Sequence, residues 1–123
     1  MSKTILVAED SPSIRKFIVF ALKILSYNVI PAIDGMDAAE KLQEQMIDLV
    51  ITDLNMPNMD GFSLIETIRL SGEYKYLPII ILSSLSKEED IQHGLACGAN
   101  SYLVKPFNKQ KLLYEVSKYI ELN

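Results

Sequence analysis

Five short aliphatic runs constrain the fold of this chain more than any other feature: Ile5-Leu6-Val7-Ala8, Val29-Ile30-Pro31-Ala32, Leu49-Val50-Ile51-Thr52, Ile79-Ile80-Ile81-Leu82 and Tyr102-Leu103-Val104. They do not alternate apolar with polar residues, as a strand with one wet face does, so they read as strands buried on both faces. Between them the period turns helical, most clearly in the stripe Ile14, Phe17, Ile18, Ala21, Leu22 and Leu25. Weaker stripes follow in Ala38, Ala39 and Leu42, in Leu64, Ile65 and Ile68, in Ile91, Leu95 and Ala96, and in Leu112, Leu113, Val116 and Ile120. Strand then helix, five times over, predicts a parallel sheet covered on both faces and reached through right-handed crossovers, a five-stranded doubly wound α/β domain.

Turn signals sit where this plan needs them. Pro12 suits the first turn of the first helix, with Asp10 or Ser11 as its cap. Asp34-Gly35 precedes the second helix, Met56-Pro57 and Asp60-Gly61 the third, and Ser71-Gly72 follows it. At 123 residues the chain is read as one domain, 1–123, with Leu122-Asn123 as a simple end.

Twelve basic against sixteen acidic residues, a net charge of -4 and no basic stripe argue against direct binding to nucleic acid. The single cysteine, Cys97, cannot form an internal disulfide, and the sequence shows neither a secretory signal nor an apolar run of membrane length, so a cytoplasmic location is expected. Gly94 and Gly98 have the spacing of a membrane-helix motif, but their segment is too polar to span.

In a parallel sheet the strand C-termini share one edge, where ligands bind. Here that edge collects Glu9-Asp10 after strand one, Asp53 after strand three, Ser83 at the end of strand four and Lys105 after strand five. If the strand order is 2-1-3-4-5, strands one and three are neighbours and Asp53 sits beside Glu9 and Asp10; three carboxylates so placed repel, and without a partner at least one has its pKa raised. A divalent cation resolves the conflict, and oxygen-only ligands from short acids favour Mg²⁺. Three acids, Lys105 and one Mg²⁺ sum to zero charge. A carboxylate in that setting, with a hydroxyl and an ammonium close by, is placed to attack phosphorus and form an aspartyl phosphate.

Four segments, VAEDSPSIRK, TDLNMPNMDG, ILSS and YLVKPF, resemble the receiver domain of two-component response regulators, above all the single-domain chemotaxis type, and the resemblance covers essentially the whole chain. It implies the flavodoxin-like strand order 2-1-3-4-5. It implies Asp53 as phosphoacceptor, and Mg²⁺ contacts from Asp10, Asp53, the Asn55 backbone carbonyl and Glu9. It implies Lys105 and Ser83 as partners of the phosphoryl group, Tyr102 as an aromatic that changes rotamer on activation, and a cis Lys105-Pro106 bond, a state found in only ~5% of X-Pro bonds. Ile91, Tyr102 and Tyr114 would form an output face. Two residues depart from the commonest family pattern: Glu9 stands where Asp is more usual, and Ser83 where Thr is frequent.

The function so implied is a phosphorylation-dependent switch in chemotaxis or another two-component pathway. A histidine kinase or small phosphodonor would supply the phosphoryl group, and a downstream protein would read the result. The domain would promote its own phosphorylation and dephosphorylation without being a turnover enzyme, as a monomer or a phosphorylation-dependent dimer. No glycine-rich nucleotide loop is present, so no kinase activity is expected.

Two alternatives use the same fold or chemistry. A Mg²⁺-dependent phosphohydrolase usually carries a second acid two residues after its nucleophile, where this chain has Asn55. A flavodoxin-like carrier needs a hydroxyl- and glycine-rich first loop, and Glu9-Asp10 would repel a flavin phosphate. The bland readings are that Glu9-Asp10 caps a helix, that Lys105 is a solvated loop lysine, that Met56 and Met59 are loop packing, and that His93, the only histidine, is a surface or partly packed residue with no catalytic partner.

Overall fold

A computed structural model describes residues 2–121, so Leu122-Asn123 lies outside the described residues. Five strands and five helices alternate in chain order: β1 (Thr4–Ala8), α1 (Pro12–Ile24), β2 (Asn28–Ala32), α2 (Gly35–Glu44), β3 (Leu49–Thr52), α3 (Gly61–Leu70), β4 (Ile79–Ser83), α4 (Glu88–Ala96), β5 (Ser101–Val104) and α5 (Lys109–Ser117). All pairings are parallel, in the order β2-β1-β3-β4-β5.

The three inner runs lack alternation because each serves two cores at once, whereas the runs of the edge strands β2 and β5, expected to be buried on both faces, are only partly covered. Ile5, Val7, Leu49, Ile51, Ile80 and Leu82 point to one face, against Ile18, Ala21 and Leu22 of α1 and Leu112 and Val116 of α5. Leu6, Ala8, Val50, Ile79 and Ile81 point to the other, against Ala38 and Leu42 of α2 and Leu64, Ile65 and Ile68 of α3. The period of two along a strand deals successive side chains to opposite faces.

Three details differ from the sequence reading. Ser11 occupies the cap position of α1, but its side chain makes no cap hydrogen bond. Glu9 Oε2 accepts from the Ser11 N–H at 3.1 Å, a bond that holds the loop before α1 without capping the helix. Phe17 leaves the buried stripe and is 42% exposed, its ring tilted against Phe107 at 6.0 Å, because it lies at the margin of the helix face that meets the sheet. In α4 the predicted stripe is barely used: Ile91 and Leu95 are half-buried, Ala96 is exposed, and Gly94 is the one buried residue. With no Cβ to hold it off, α4 rests directly on the sheet at Gly94, where a Cβ would come within 2.6 Å of Ile81 Cδ1.

The loops at the C-terminal edge are tied to one another. Asp34 and Asp60 cap α2 and α3, accepting from the N–H groups of Asp37 and Ser63 at 2.8 Å each. Gly61 packs so tightly that a Cβ would sit 2.1 Å from the Asp53 carbonyl oxygen, and a Cβ on Gly35 would sit 2.3 Å from that of Met59. Asn58, in the left-handed region at φ 67°, donates its amide to Asp34 Oδ2 at 2.7 Å and so binds the β3–α3 loop to the start of α2. Met56 and Met59 pack into the core from this loop.

Asp34 makes this edge pH-sensitive. The Asp37 N–H, then the Asn58 amide, hold its carboxyl below the ordinary carboxylate range, outweighing its burial. A depressed folded pKa stabilises above the unfolded value of about 4 and is lost as pH falls through the folded value. Asp34→Ala is therefore expected to cost about 1–2 kcal/mol in urea unfolding at neutral pH. The deficit should shrink as the pH is lowered below about 4, where the wild type loses the same stabilisation.

Candidate phosphoryl-transfer site

Register builds the site. Ala8 pairs with Thr52, so the residues that follow, Glu9 and Asp53, leave neighbouring strands at one level. The Asp53 N–H donates to the Ala8 carbonyl at 3.0 Å and the Glu9 N–H to that of Ala32 at 3.1 Å, extending the ladder one step beyond the strands. On the other side Ser83 pairs with Val104, and the Lys105 N–H donates to the Ser83 carbonyl at 2.8 Å. Glu9, Asp53, Ser83 and Lys105 thus stand in a row along the C-terminal edge.

Lys105 closes the row. Its Nζ donates to Glu9 Oε1 at 2.8 Å and to Asp53 Oδ2 at 3.0 Å. Far from being a solvated loop lysine, it is half-buried, and the Lys105-Pro106 bond that follows it is cis. The second Asp53 oxygen, Oδ1, accepts from the Leu54 N–H at 2.6 Å, so the plane of the carboxylate is fixed from both ends. Arg15, which the sequence reading did not single out, donates to the Glu9 carbonyl at 2.7 Å and pins the β1–α1 loop from α1.

Glu9, Asp10 and Asp53 each offer a carboxylate oxygen within 4.8 Å of the others; Glu9 and Asp53 are buried, whereas Asp10 is exposed. Burial raises the Glu9 pKa, with a smaller push from the Asp53 charge, against the opposing Lys105 and Ser11 hydrogen bonds. Burial works against the Lys105 cation, but its hydrogen bonds to Glu9 and Asp53 more than offset that and raise its pKa, so it stays protonated. Three hard oxygen donors at this spacing, from three carboxylates that one lysine leaves two charges short of neutrality, fit a divalent cation such as Mg²⁺. Asn55 is exposed and lines the open cleft beside Asp10 together with Met56, Pro57 and Asp60.

Ser83 is fully buried, and its Oγ accepts from the Leu85 N–H at 3.1 Å. The Leu85 carbonyl in turn accepts from the Tyr102 hydroxyl at 2.7 Å. A two-step hydrogen-bonded path therefore leads from the site to Tyr102, through a backbone group that carries no sequence signature. Ile91 is half-buried on α4 and Tyr114 is 64% exposed on α5, on the elements flanking Tyr102. His93 stands apart from the acids, exposed, with its ring stacked on Phe62.

The exposed Asp10 carboxylate adds repulsion without a lysine partner. Asp10→Asn is expected to raise stability in metal-free buffer by about 1 kcal/mol, the scale of two like charges at this separation in a wet site. Millimolar Mg²⁺ should stabilise the wild type and erase that difference, because the ion binds only the folded cluster and the variant binds it more weakly. Thermal unfolding with and without Mg²⁺ reads both effects.

Residues 5–117 match the response regulator receiver domain family. The response regulator GtcR of Aneurinibacillus migulanus is 45% identical over 108 residues, covering 88% of this chain and 43% of that protein. The sensor protein EvgS of Escherichia coli K12 is 40% identical over 115 residues, covering 94% of this chain and 9% of that protein, so the chain spans well under half of either relative. Among solved structures, Vibrio cholerae chemotaxis protein CheY4 superposes with a TM-score of 0.92 at 37% identity, covering 98% of this chain and 100% of that one. The receiver domain of the Pseudomonas aeruginosa sensor kinase PA1611, which holds a magnesium ion in its active-site cleft, gives 0.89 at 30% identity over 97% of this chain and 98% of that one. No helix among the described residues is long and apolar enough to cross a membrane. With the strand order, the acidic cluster and the bridging lysine already in place, the chain belongs to the response regulator receiver domain family.

Proposed function

We propose that this domain accepts a phosphoryl group on Asp53 and passes the event to another protein through the surface around Tyr102. The observation that carries the reading is the Lys105 bridge, 2.8 Å to Glu9 and 3.0 Å to Asp53, which places an ammonium on the carboxylate that would react.

Asp53 is the nucleophile: one of its oxygens forms the bond to phosphorus while the bond to the donor breaks and the departing group takes the electron pair. Glu9, Asp10, Asp53 and the Asn55 backbone carbonyl would hold Mg²⁺, whose bound charge offsets that of the phosphoryl oxygens. An ammonium has three donors, and two of Lys105's are in use, so the third is available to a phosphoryl oxygen. Ser83 Oγ accepts from Leu85 and keeps its own proton to donate to the new phosphate.

That donation moves Ser83 toward Asp53 and pulls on Leu85, whose carbonyl holds Tyr102. The output follows as a shift between two arrangements of Tyr102 and the neighbouring Ile91 and Tyr114. The donor must bring its phosphoryl group to Asp53, and an apolar groove lined by Ile14, Phe17, Pro106 and Phe107 opens beside Lys105. A histidine kinase or a small phosphodonor fills that role, in the cytoplasm, within chemotaxis or another two-component pathway; similarity to a chemotaxis protein and to receiver segments of sensor kinases supports that setting.

Incubation with acetyl phosphate and Mg²⁺, read by intact mass, should add one phosphoryl group to the wild type. Nothing should be added without Mg²⁺ or in Asp53→Asn. A wild type that gains no mass under these conditions contradicts the reading.

A further inference from the structure

α4 is fastened unevenly. Beyond its C-terminal end, the Arg69 side chain of α3 donates to the Gly98 carbonyl at 2.9 Å and to Asn100 Oδ1 at 3.0 Å. Gly98, at φ 120°, lies so close that a Cβ would come within 2.8 Å of Arg69 Cγ. At the other end Lys87 makes no side-chain cap, and Glu88 and Glu89 face solvent. Between these ends Gly94 rests on the sheet, where a Cβ would come within 3.2 Å of the Tyr102 ring as well as against Ile81. The helix therefore lies across the residue that the relay from Ser83 reaches.

One further contact holds it there. His93, next to Gly94, lies flat on Phe62 of α3, with ring centroids 4.1 Å apart and an interplanar angle of 15°. Phe62 follows Gly61, whose N–H donates to the Leu54 carbonyl at 2.9 Å and whose Cα abuts the Asp53 carbonyl. The stack therefore joins α4 to the backbone of the loop that carries Asp53.

We propose that the Phe62–His93 stack is a latch: it holds α4 in its resting position over Tyr102 and sets the equilibrium between the resting and signalling states. The proposal rests on the reading of Asp53 as phosphoacceptor. His93 is a positioning residue, acting on α4 and touching neither phosphate nor metal. An aromatic pair shifts an equilibrium about two- to tenfold. Asp53 reacts from the arrangement in which α4 is free, so a change that raises the population of that arrangement raises the phosphorylation rate in proportion.

Amide hydrogen exchange and the rate of phosphorylation by acetyl phosphate with Mg²⁺ test this on the full chain, in the wild type, His93→Ala and His93→Phe. His93 is exposed, so neither substitution opens a cavity. His93→Ala should speed exchange at residues 91–96 and phosphorylation of Asp53 by about two- to tenfold each, with sheet amides unchanged. His93→Phe, which keeps a ring on Phe62, should return both to the wild-type values. Unchanged α4 exchange overturns the latch, and so does faster exchange with an unchanged phosphorylation rate, since the stack would then be a structural contact uncoupled from the site. A wild type that takes no phosphoryl group overturns the phosphoacceptor reading itself, a different result from three proteins phosphorylated at one rate.

Discussion

Lys105 bridging Glu9 and Asp53 is the interaction on which the rest of this structure turns. A parallel sheet delivers all its strand ends to one edge, and here that edge delivers acids. Two of them are buried, and burying a carboxylate is costly unless it is paired and hydrogen-bonded. Lys105 supplies one ammonium to both, and the N–H groups of Leu54 and Ser11 take up other oxygens. The pairing is incomplete by design of the composition: three carboxylates against one lysine leave the cluster two charges short of neutral, which is the charge a divalent cation brings.

The surrounding loops are built to hold that arrangement. Gly35 and Gly61 let helix starts close against the backbone of the β3–α3 loop, and Asp34 and Asn58 tie that loop to its neighbour. The apolar framework beneath is rigid because every inner strand is packed on both faces. Freedom is concentrated at α4 and β5: most of α4 is exposed, β5 is half-buried, and their contacts run through a glycine, a carbonyl and a ring stack. A rigid site beside a loosely held helix suits a domain whose output is a change of surface.

Much of this was legible in the sequence, and what was hidden has physical reasons. The strands were legible because runs such as Ile79 to Leu82 have no wet face to break them. Glu9, Asp53, Ser83 and Lys105 were legible as a group because each follows or ends such a run, and topology alone brings them to one edge. Ser11 takes the cap position that the sequence offers, but its side chain makes no cap hydrogen bond, and Glu9 accepts from its N–H instead. The α4 stripe was overread because the contact is made by Gly94, a residue with no side chain to reveal it. The Leu85 relay, the Asp34–Asn58 tie and the Phe62–His93 stack all join residues through backbone groups or across distant segments, which no local pattern records.

The central claim is that the carboxylate held by Lys105 is the one that carries the phosphoryl group. Borohydride reduction of the protein treated with acetyl phosphate and Mg²⁺ tests it most directly, because it converts an aspartyl phosphate to homoserine and marks its position for peptide mass spectrometry. Homoserine at position 53, and at no other acid, is the predicted result. Homoserine at Glu9's neighbour Asp10 or elsewhere, or a phosphoryl group that resists reduction, would contradict the account.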